Sequence, residues 1–374
     1  MKPLTVLVAV DHAVGITGPH RNVVSSLNAL ASLEGVAVRL LCGRIDEREY
    51  YARSGRVDIH LGFDPHMPGA FWANLRSLHK CSHGVDVIYC PTGLKSLLYL
   101  QSIRGGRKLV AGPNVTPLPI RRVDSPGWVE LNLLCDLWLE ASRARYEHVM
   151  RYTGNHRKLR LVHHGLDTEL FTPARRKREI WSKYGIALDG LKVLCVVRRE
   201  RPLKGVPQLV EAAEILGRSP RGRGVDFVIV GELLPATLER AARLSNVHCL
   251  GVRERDELAD IYASADIAVV PSTWEGFGFT VLEAMASGLA VVASRTGGIV
   301  DLIEHGVSGV LIEIVGSSGS HRPDAGAIIA TAITELMEDE ARRELLGRNA
   351  RRRAVEHFSE AALAKRLLAV LSEC

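Results

Sequence analysis

The strongest chemical signal in this chain is the stretch Pro271-Ser272-Thr273-Trp274-Glu275-Gly276-Phe277-Gly278-Phe279-Thr280-Val281-Leu282-Glu283-Ala284-Met285-Ala286-Ser287-Gly288. An apolar run ends at Pro271, a loop with two glycines follows, and a helix is expected to begin near Phe279. Gly276 and Gly278 let a ligand approach the backbone closely. The unpaired N–H groups at a helix start attract anions. Glu283 follows Glu275 by slightly more than two helical turns, so the two carboxylates can address one side of the element. Carboxylates so placed can accept hydrogen bonds from sugar or ribose hydroxyls. Taken alone, the pair equally fits a capping glutamate and a surface glutamate.

A second signal is Val197-Arg198-Arg199-Glu200-Arg201-Pro202-Leu203-Lys204-Gly205, which follows an apolar run and opens a helix over about residues 206–217. Cations at a strand-to-helix turn, beside the positive helix end, suit a diphosphate. A solvated basic loop is the plainer alternative.

These segments need strands to position them. The chain has 374 residues, of which 47% are hydrophobic, enough for two α/β domains with their own cores. Short apolar runs alternate with amphipathic stretches, the pattern of a parallel sheet covered by helices on both faces. The first half offers strands near 4–10, 36–42, 85–90, 108–111, 137–141 and 159–163. The second offers strands near 191–197, 225–230, 247–250, 267–270, 290–293 and 310–314. Phe171-Thr172-Pro173-Ala174-Arg175-Arg176-Lys177 reads as the linker between the series. The expectation is two doubly wound domains in tandem. Ligands would bind beyond the carboxyl ends of the strands, in an interdomain cleft. Ser359 is a good N-cap for a last helix.

The seven cysteines form no Cys-x-x-Cys pair, and several lie in apolar runs, as expected of reduced thiols in a cytoplasmic protein. No apolar run is long enough to cross a bilayer, and the amino-terminal run reads as a first strand rather than a signal peptide. The net charge of +6 resides in residues 1–172, which hold 21 Lys and Arg against 15 Asp and Glu. A basic first half favours an anionic acceptor or a peripheral contact with a membrane surface. No Asp-x-Asp occurs, so a metal-held diphosphate is not indicated; the Arg/Lys pair and helix end can take that electrostatic role. No glycine fingerprint opens the first helix, which lowers a nicotinamide reading, and no basic-aromatic interleaving supports nucleic-acid binding.

Together the two motifs resemble the retaining GT-B-fold glycosyltransferases, the glycosyl transferases group 1 family. That family carries a Lys-Gly segment after the first strand of its second domain. It also carries a Glu-Gly-Phe-Gly…Leu-Glu-Ala-Met-Ala segment with seven residues between its glutamates. Val252-Arg253-Glu254, Tyr262-Ala263-Ser264-Ala265-Asp266, Thr296-Gly297-Gly298 and His305-Gly306-Val307-Ser308-Gly309 also fit. The resemblance covers residues 159–372; the first half matches in outline through Gly15-Ile16-Thr17-Gly18 and Ala141-Ser142.

The resemblance implies two Rossmann-like domains: 1–172 for the acceptor, 173–357 for the nucleotide-sugar donor, and a helix in 358–374 returning to the first domain. It implies metal-independent transfer of a hexose from a UDP- or GDP-sugar, with retention of configuration and no cofactor. Arg199 and Lys204 would grip the diphosphate, Glu275 would face the donor sugar, and Glu283 the ribose. The main chain of Gly276, Phe277, Gly278 and Phe279 would approach sugar or phosphate. Gly18 would lie beside the diphosphate, and Arg253 falls in the base-binding loop. The sequence departs from the family at Arg198, Glu200 and His164, and at Asn114, where a histidine is often present. Asn114, His12 and His20 are therefore the acceptor-side candidates. A sugar-nucleotide epimerase, another GT-B enzyme or a non-catalytic nucleotide-sugar-binding protein are the alternatives.

Overall fold

The computed structural model describes residues 3–10, 18–43, 57–64, 67, 69–92, 94–114, 134–153 and 157–373. The first sheet contains strands β1 (Leu4–Val10), β2 (Val36–Cys42), β3 (Val57–Leu61), β4 (Val87–Thr92), β5 (Lys108–Asn114), β6 (Leu137–Glu140) and β7 (Leu159–Leu161). The second contains β8 (Leu191–Arg199), β9 (Val225–Glu232), β10 (Val247–Gly251), β11 (Ile267–Val270), β12 (Ala290–Ser294) and β13 (Val310–Ile312). Their spatial orders are β3-β2-β1-β4-β5-β6-β7 and β10-β9-β8-β11-β12-β13, with neighbouring strands parallel. The strand order reverses beside β1 in the first sheet and beside β8 in the second. That is doubly wound topology, and its switch points are where such sheets bind ligands.

Alternation of side chains feeds two faces. In β1, Val6, Val8 and Val10 join a core with Val23 and Leu27 of helix Gly18–Ala31. Leu7 and Ala9 join the opposite core with Leu78, Leu97 and Leu100. A strand buried on both faces must be apolar throughout, and β1 is. Among the described residues, the one strand the sequence pattern does not reveal is β3. Val57-Asp58-Ile59-His60-Leu61 lies at the sheet's edge, with Asp58 and Leu61 exposed, so it lacks the continuous apolar run of its neighbours.

The chain forms two compact units, residues 1–165 with 358–374, and residues 166–357. The division falls ahead of the linker read at Pro173 because residues 166–172 pack with the second unit. The Phe171 ring meets Tyr262 edge-on with centroids 5.8 Å apart, and Arg351 donates to the carbonyls of Thr168 and Phe171 at 2.7 and 2.8 Å. Gly165 stays with the first unit, where its carbonyl accepts from Ser25 Oγ at 2.8 Å. Ser359 Oγ accepts from the Ala362 N–H at 3.2 Å and so caps helix Glu360–Ser372. Leu363, Leu367 and Leu371 of that helix complete the core above Val6 and Val8.

All six described cysteines are free thiols. Burial pushes the Cys42, Cys135 and Cys195 thiols up to about 12, so they stay protonated and unreactive.

Candidate active site at the second switch point

β8 and β11 are neighbours at the centre of the second sheet, and the loops leaving their carboxyl ends build the site. After β8 comes a short 3-10 turn, Pro202–Lys204, then Gly205 with φ of 68°, then helix Val206–Gly217. After β11 comes the loop 271–278, closed by Gly278 with φ of 105°, then helix Phe279–Ala286. Both glycines stand at left-handed positions that L side chains rarely adopt.

The two loops interlock. A Cβ on Gly205 would lie 2.1 Å from the Pro271 carbonyl oxygen, so only glycine permits this crossing. The Thr273 N–H donates to the Leu203 carbonyl at 2.8 Å. His321 Nε2 lies 2.6 Å from the Pro271 carbonyl. From this crossing Lys204 Nζ reaches Glu275 Oε1 at 2.6 Å, and Ser272 Oγ donates to the same oxygen at 2.8 Å. The Lys204 and Glu275 side chains are 26% and 14% exposed, so solvent reaches both while screening between them is reduced.

A second tier fixes the Glu275 backbone. The Gly298 N–H donates to the Glu275 carbonyl at 2.9 Å, and Thr296 Oγ1 donates to the Thr273 carbonyl at 2.9 Å. A Cβ on Gly297 would fall 2.1 Å from the Glu275 carbonyl oxygen, and one on Gly298 would fall 2.6 Å from Phe277 Cα. Thr296-Gly297-Gly298 is therefore the buttress of the Glu275–Gly276–Phe277 turn, a role the sequence alone did not reveal. Phe277 is buried and packs edge-on against Phe279, with ring centroids 5.4 Å apart.

The other expected residues are spread around this centre. Arg199 ends β8 largely exposed, and its Nε donates to Glu232 Oε2 at 2.8 Å across to the end of β9. Lys204 and Arg199 thus each hold a separate carboxylate. Glu200 is buried. Its carboxylate accepts from the Leu234 N–H at 2.8 Å and the Thr237 hydroxyl at 2.6 Å, fixing the start of helix Pro235–Ala241. Glu283 does not share Glu275's solvent-accessible side. It is fully buried and accepts from the Tyr262 hydroxyl at 3.1 Å. Arg253 donates to the Leu250 carbonyl, and its guanidinium lies over the Tyr184 ring, 5.3 Å from the centroid. Tyr184 OH in turn donates to Glu257 at 2.6 Å, and burial raises the Tyr184 phenol above its ordinary range.

In the first unit Gly18 opens helix Gly18–Ala31, and His20 falls in the first turn of that helix. Asn114 ends β5, paired in register with Thr92 of β4. His12 lies outside the described residues. Among the described residues, no group of three or more His, Cys, Asp or Glu side chains could hold a metal ion.

Two doubly wound parallel sheets, each on its own compact unit, are the GT-B architecture. Residues 190–339 match the model of the family described as Glycosyl transferases group 1. It resembles D-inositol 3-phosphate glycosyltransferase from Corynebacterium efficiens, 33% identical over 60% of this chain and 53% of that protein. It also resembles MMP alpha-(1->4)-mannosyltransferase from Mycolicibacterium hassiacum, 32% identical over 57% of this chain and 48% of that protein. The chain spans about half the length of these curated relatives. Among solved structures, HepE from Anabaena with UDP and glucose has a TM-score of 0.75 at 19% identity. That match covers 98% of this chain and 99% of HepE. Sucrose-phosphate synthase from Thermosynechococcus elongatus has a TM-score of 0.72 at 20% identity, covering 99% of this chain and 98% of that one. At such identities the likeness is one of fold.

Proposed function

We propose that this protein transfers a hexose from a nucleotide-diphosphate sugar to an acceptor, with retention of configuration and without a metal ion. The observation that carries the reading is the Lys204–Glu275 pair, held at 2.6 Å where the β8 and β11 loops cross. An ammonium has three N–H donors, and Glu275 takes one of them. Lys204 is thus a preoriented cation at a switch point, beside the positive end of a helix, with a carboxylate fixed next to it. Phosphate oxygens suit the lysine, and sugar hydroxyls suit the carboxylate.

When the bond between the anomeric carbon and the diphosphate breaks, negative charge grows on the leaving oxygens. A fixed cation stabilises that charge without reorganising at the moment of reaction. Lys204 takes this part, with Arg199 as the second cation of the clamp, so electrostatic work that other enzymes give to a metal is done by side chains. Glu275 orients the donor sugar, which raises the rate through placement. The backbone of Gly276 to Phe279 supplies close approach and the N–H groups of the helix start. Glu283, on the buried face of that helix, is held by the Tyr262 hydroxyl and serves the ribose side of the donor.

The relatives support a nucleotide-sugar donor. Curated relatives are named glycosyltransferases, and HepE is solved with UDP and with UDP-glucose. The test is mass spectrometry of products formed from UDP- and GDP-hexoses. D-inositol 3-phosphate, the compound in several relatives' names, serves as the first acceptor to try. Growth of an acceptor by one hexose supports the reading. Interconversion of the donor sugar alone would make the protein an epimerase.

A further inference from the structure

We propose that helix Phe71–Ser82 of the first unit is a docking surface for an anionic bilayer, a site separate from the switch-point chemistry. The helix buries Asn74, Leu78, Cys81 and Ser82 against the sheet and turns the opposite face to solvent. That outer face combines two features. At its amino-terminal end, Trp72 is 70% exposed, Phe71 50% and the preceding Met67 61%. Along the rest, Arg76, His79, Lys80 and His83 line a shallow groove with Trp72 and Leu75.

An exposed tryptophan and phenylalanine side by side need a reason where the other described aromatic rings are mostly buried. Here they stand together, the Phe71 and Trp72 rings edge-on with centroids 5.2 Å apart. Phe71 also leans on Tyr99 at 5.7 Å, which holds the pair outward on a fixed base. Aromatic rings with a polar edge settle at the headgroup boundary of a bilayer, and lysine and arginine stems lie along the apolar surface with their charges in the headgroup layer.

The charges choose the occupant. Residues 71–83 contain no Asp or Glu. The exposed Asp58 of β3 is engaged by His60 at 2.8 Å and by Arg39, whose guanidinium also donates to the carbonyls of Cys81 and His83 at the helix end, and the exposed Asp86 accepts from the Thr5 N–H at 2.8 Å. A second copy docked on this face would oppose two faces that carry cations and no acid. A surface of anionic phospholipid headgroups matches both the cations and the aromatic pair. Among the described residues no helix is long and apolar enough to cross a membrane.

Sedimentation of the full chain with vesicles tests this. The vesicles are phosphatidylcholine alone or phosphatidylcholine with phosphatidylglycerol, at low and at physiological salt. Binding to the anionic vesicles is expected, weakening as salt rises because the attraction is screened. Each cation at the surface contributes roughly fivefold in partitioning, so Arg76→Glu with Lys80→Glu should lower it at least ~20-fold. Trp72→Ser should lower it severalfold with unchanged circular dichroism. Trp72 fluorescence should shift blue on anionic vesicles, and Trp72→Phe should lack that component. Equal binding by the charge-reversed variant, no binding of wild type at low salt, or loss of a dimer in the Trp72→Ser variant would each overturn the proposal. None of these readouts uses turnover, so the donor-site reading stands or falls separately.

Discussion

Lys204→Ala is the most informative single change. In the folded protein the ammonium makes one part-buried ion pair with Glu275 at 2.6 Å, the two side chains 26% and 14% exposed. Pairs that solvent can reach contribute at most about 1 kcal/mol once screening is counted. Glu275 keeps its hydrogen bond from Ser272 at 2.8 Å, so truncating Lys204 leaves no orphaned carboxylate. In a domain of this size about 1 kcal/mol moves Tm by roughly 2–4 °C. The variant should therefore fold and melt close to wild type. Its effect on reaction should be far larger. Removing one preorganised contact to a developing charge costs roughly 2.7–4 kcal/mol, or about a hundred- to a thousandfold in kcat. The assay pairs differential scanning fluorimetry with donor turnover, scored by released nucleoside diphosphate. A folded Lys204→Ala protein within a fewfold of wild-type kcat/KM would refute the clamp, whereas a drop of more than about 10 °C in Tm would show that Lys204 is structural.

Further outcomes follow from the same geometry. Arg199→Ala removes a largely exposed pair with Glu232 and should leave stability within about 0.5 kcal/mol while lowering turnover. Combined with Lys204→Ala its kinetic effect should be less than additive, because both grip one group; full additivity in a double-mutant cycle would separate them. Gly205→Ala places a methyl 2.1 Å from the Pro271 carbonyl oxygen at φ of 68°, so it should destabilise by about 2 kcal/mol or more in urea unfolding. Glu275→Gln should act mainly on kcat, while Glu283→Gln, altered in the buried layer with Tyr262, should act more on donor affinity; equal effects on affinity alone would contradict the assignment. His164 is buried, and burial, aided by His163, Arg145 and Arg366, depresses its imidazolium to about 3. The unfolded chain takes up that proton near pH 6.5, which the folded chain resists. This neutral histidine's stabilisation is full above about pH 6.5 and is lost as pH falls toward 3, by up to ~1.4 kcal/mol per pH unit. His164→Gln should flatten the acid limb of a stability–pH curve; an unchanged limb would rule this histidine out as its cause.

Much of the fold was legible because most strands are buried on both faces and so read as unbroken apolar runs. β3 escaped because an edge strand needs no second apolar face. The two site loops were legible because glycine and charge mark strand-to-helix turns. What the loops do to each other was not. Gly205 against Pro271, and Gly297 and Gly298 against the Glu275 turn, are long-range crossings that leave no local periodicity. The eight-residue spacing of Glu275 and Glu283 suggested one shared side, but Glu275 precedes the helix while Glu283 lies in its buried face. Arg199 and Lys204 looked like a single pair in sequence, yet strand register delivers Arg199 to Glu232 and the turn delivers Lys204 to Glu275. Glu200, noted in sequence only as a departure from the resembled family, is a buried acceptor. The Trp72 face gave no sequence signal beyond the positive charge of the first half.

Isothermal titration of UDP and of GDP into the purified chain in excess EDTA tests the central claim most directly. Wild type should bind at least one of the two with heat that saturates at one site. Lys204→Ala, still folded, should bind that nucleotide at least about tenfold more weakly, a difference of ~1.4 kcal/mol. Failure of folded wild type to bind either nucleotide without metal, or equal affinity in Lys204→Ala, would contradict a side-chain clamp on a nucleoside diphosphate.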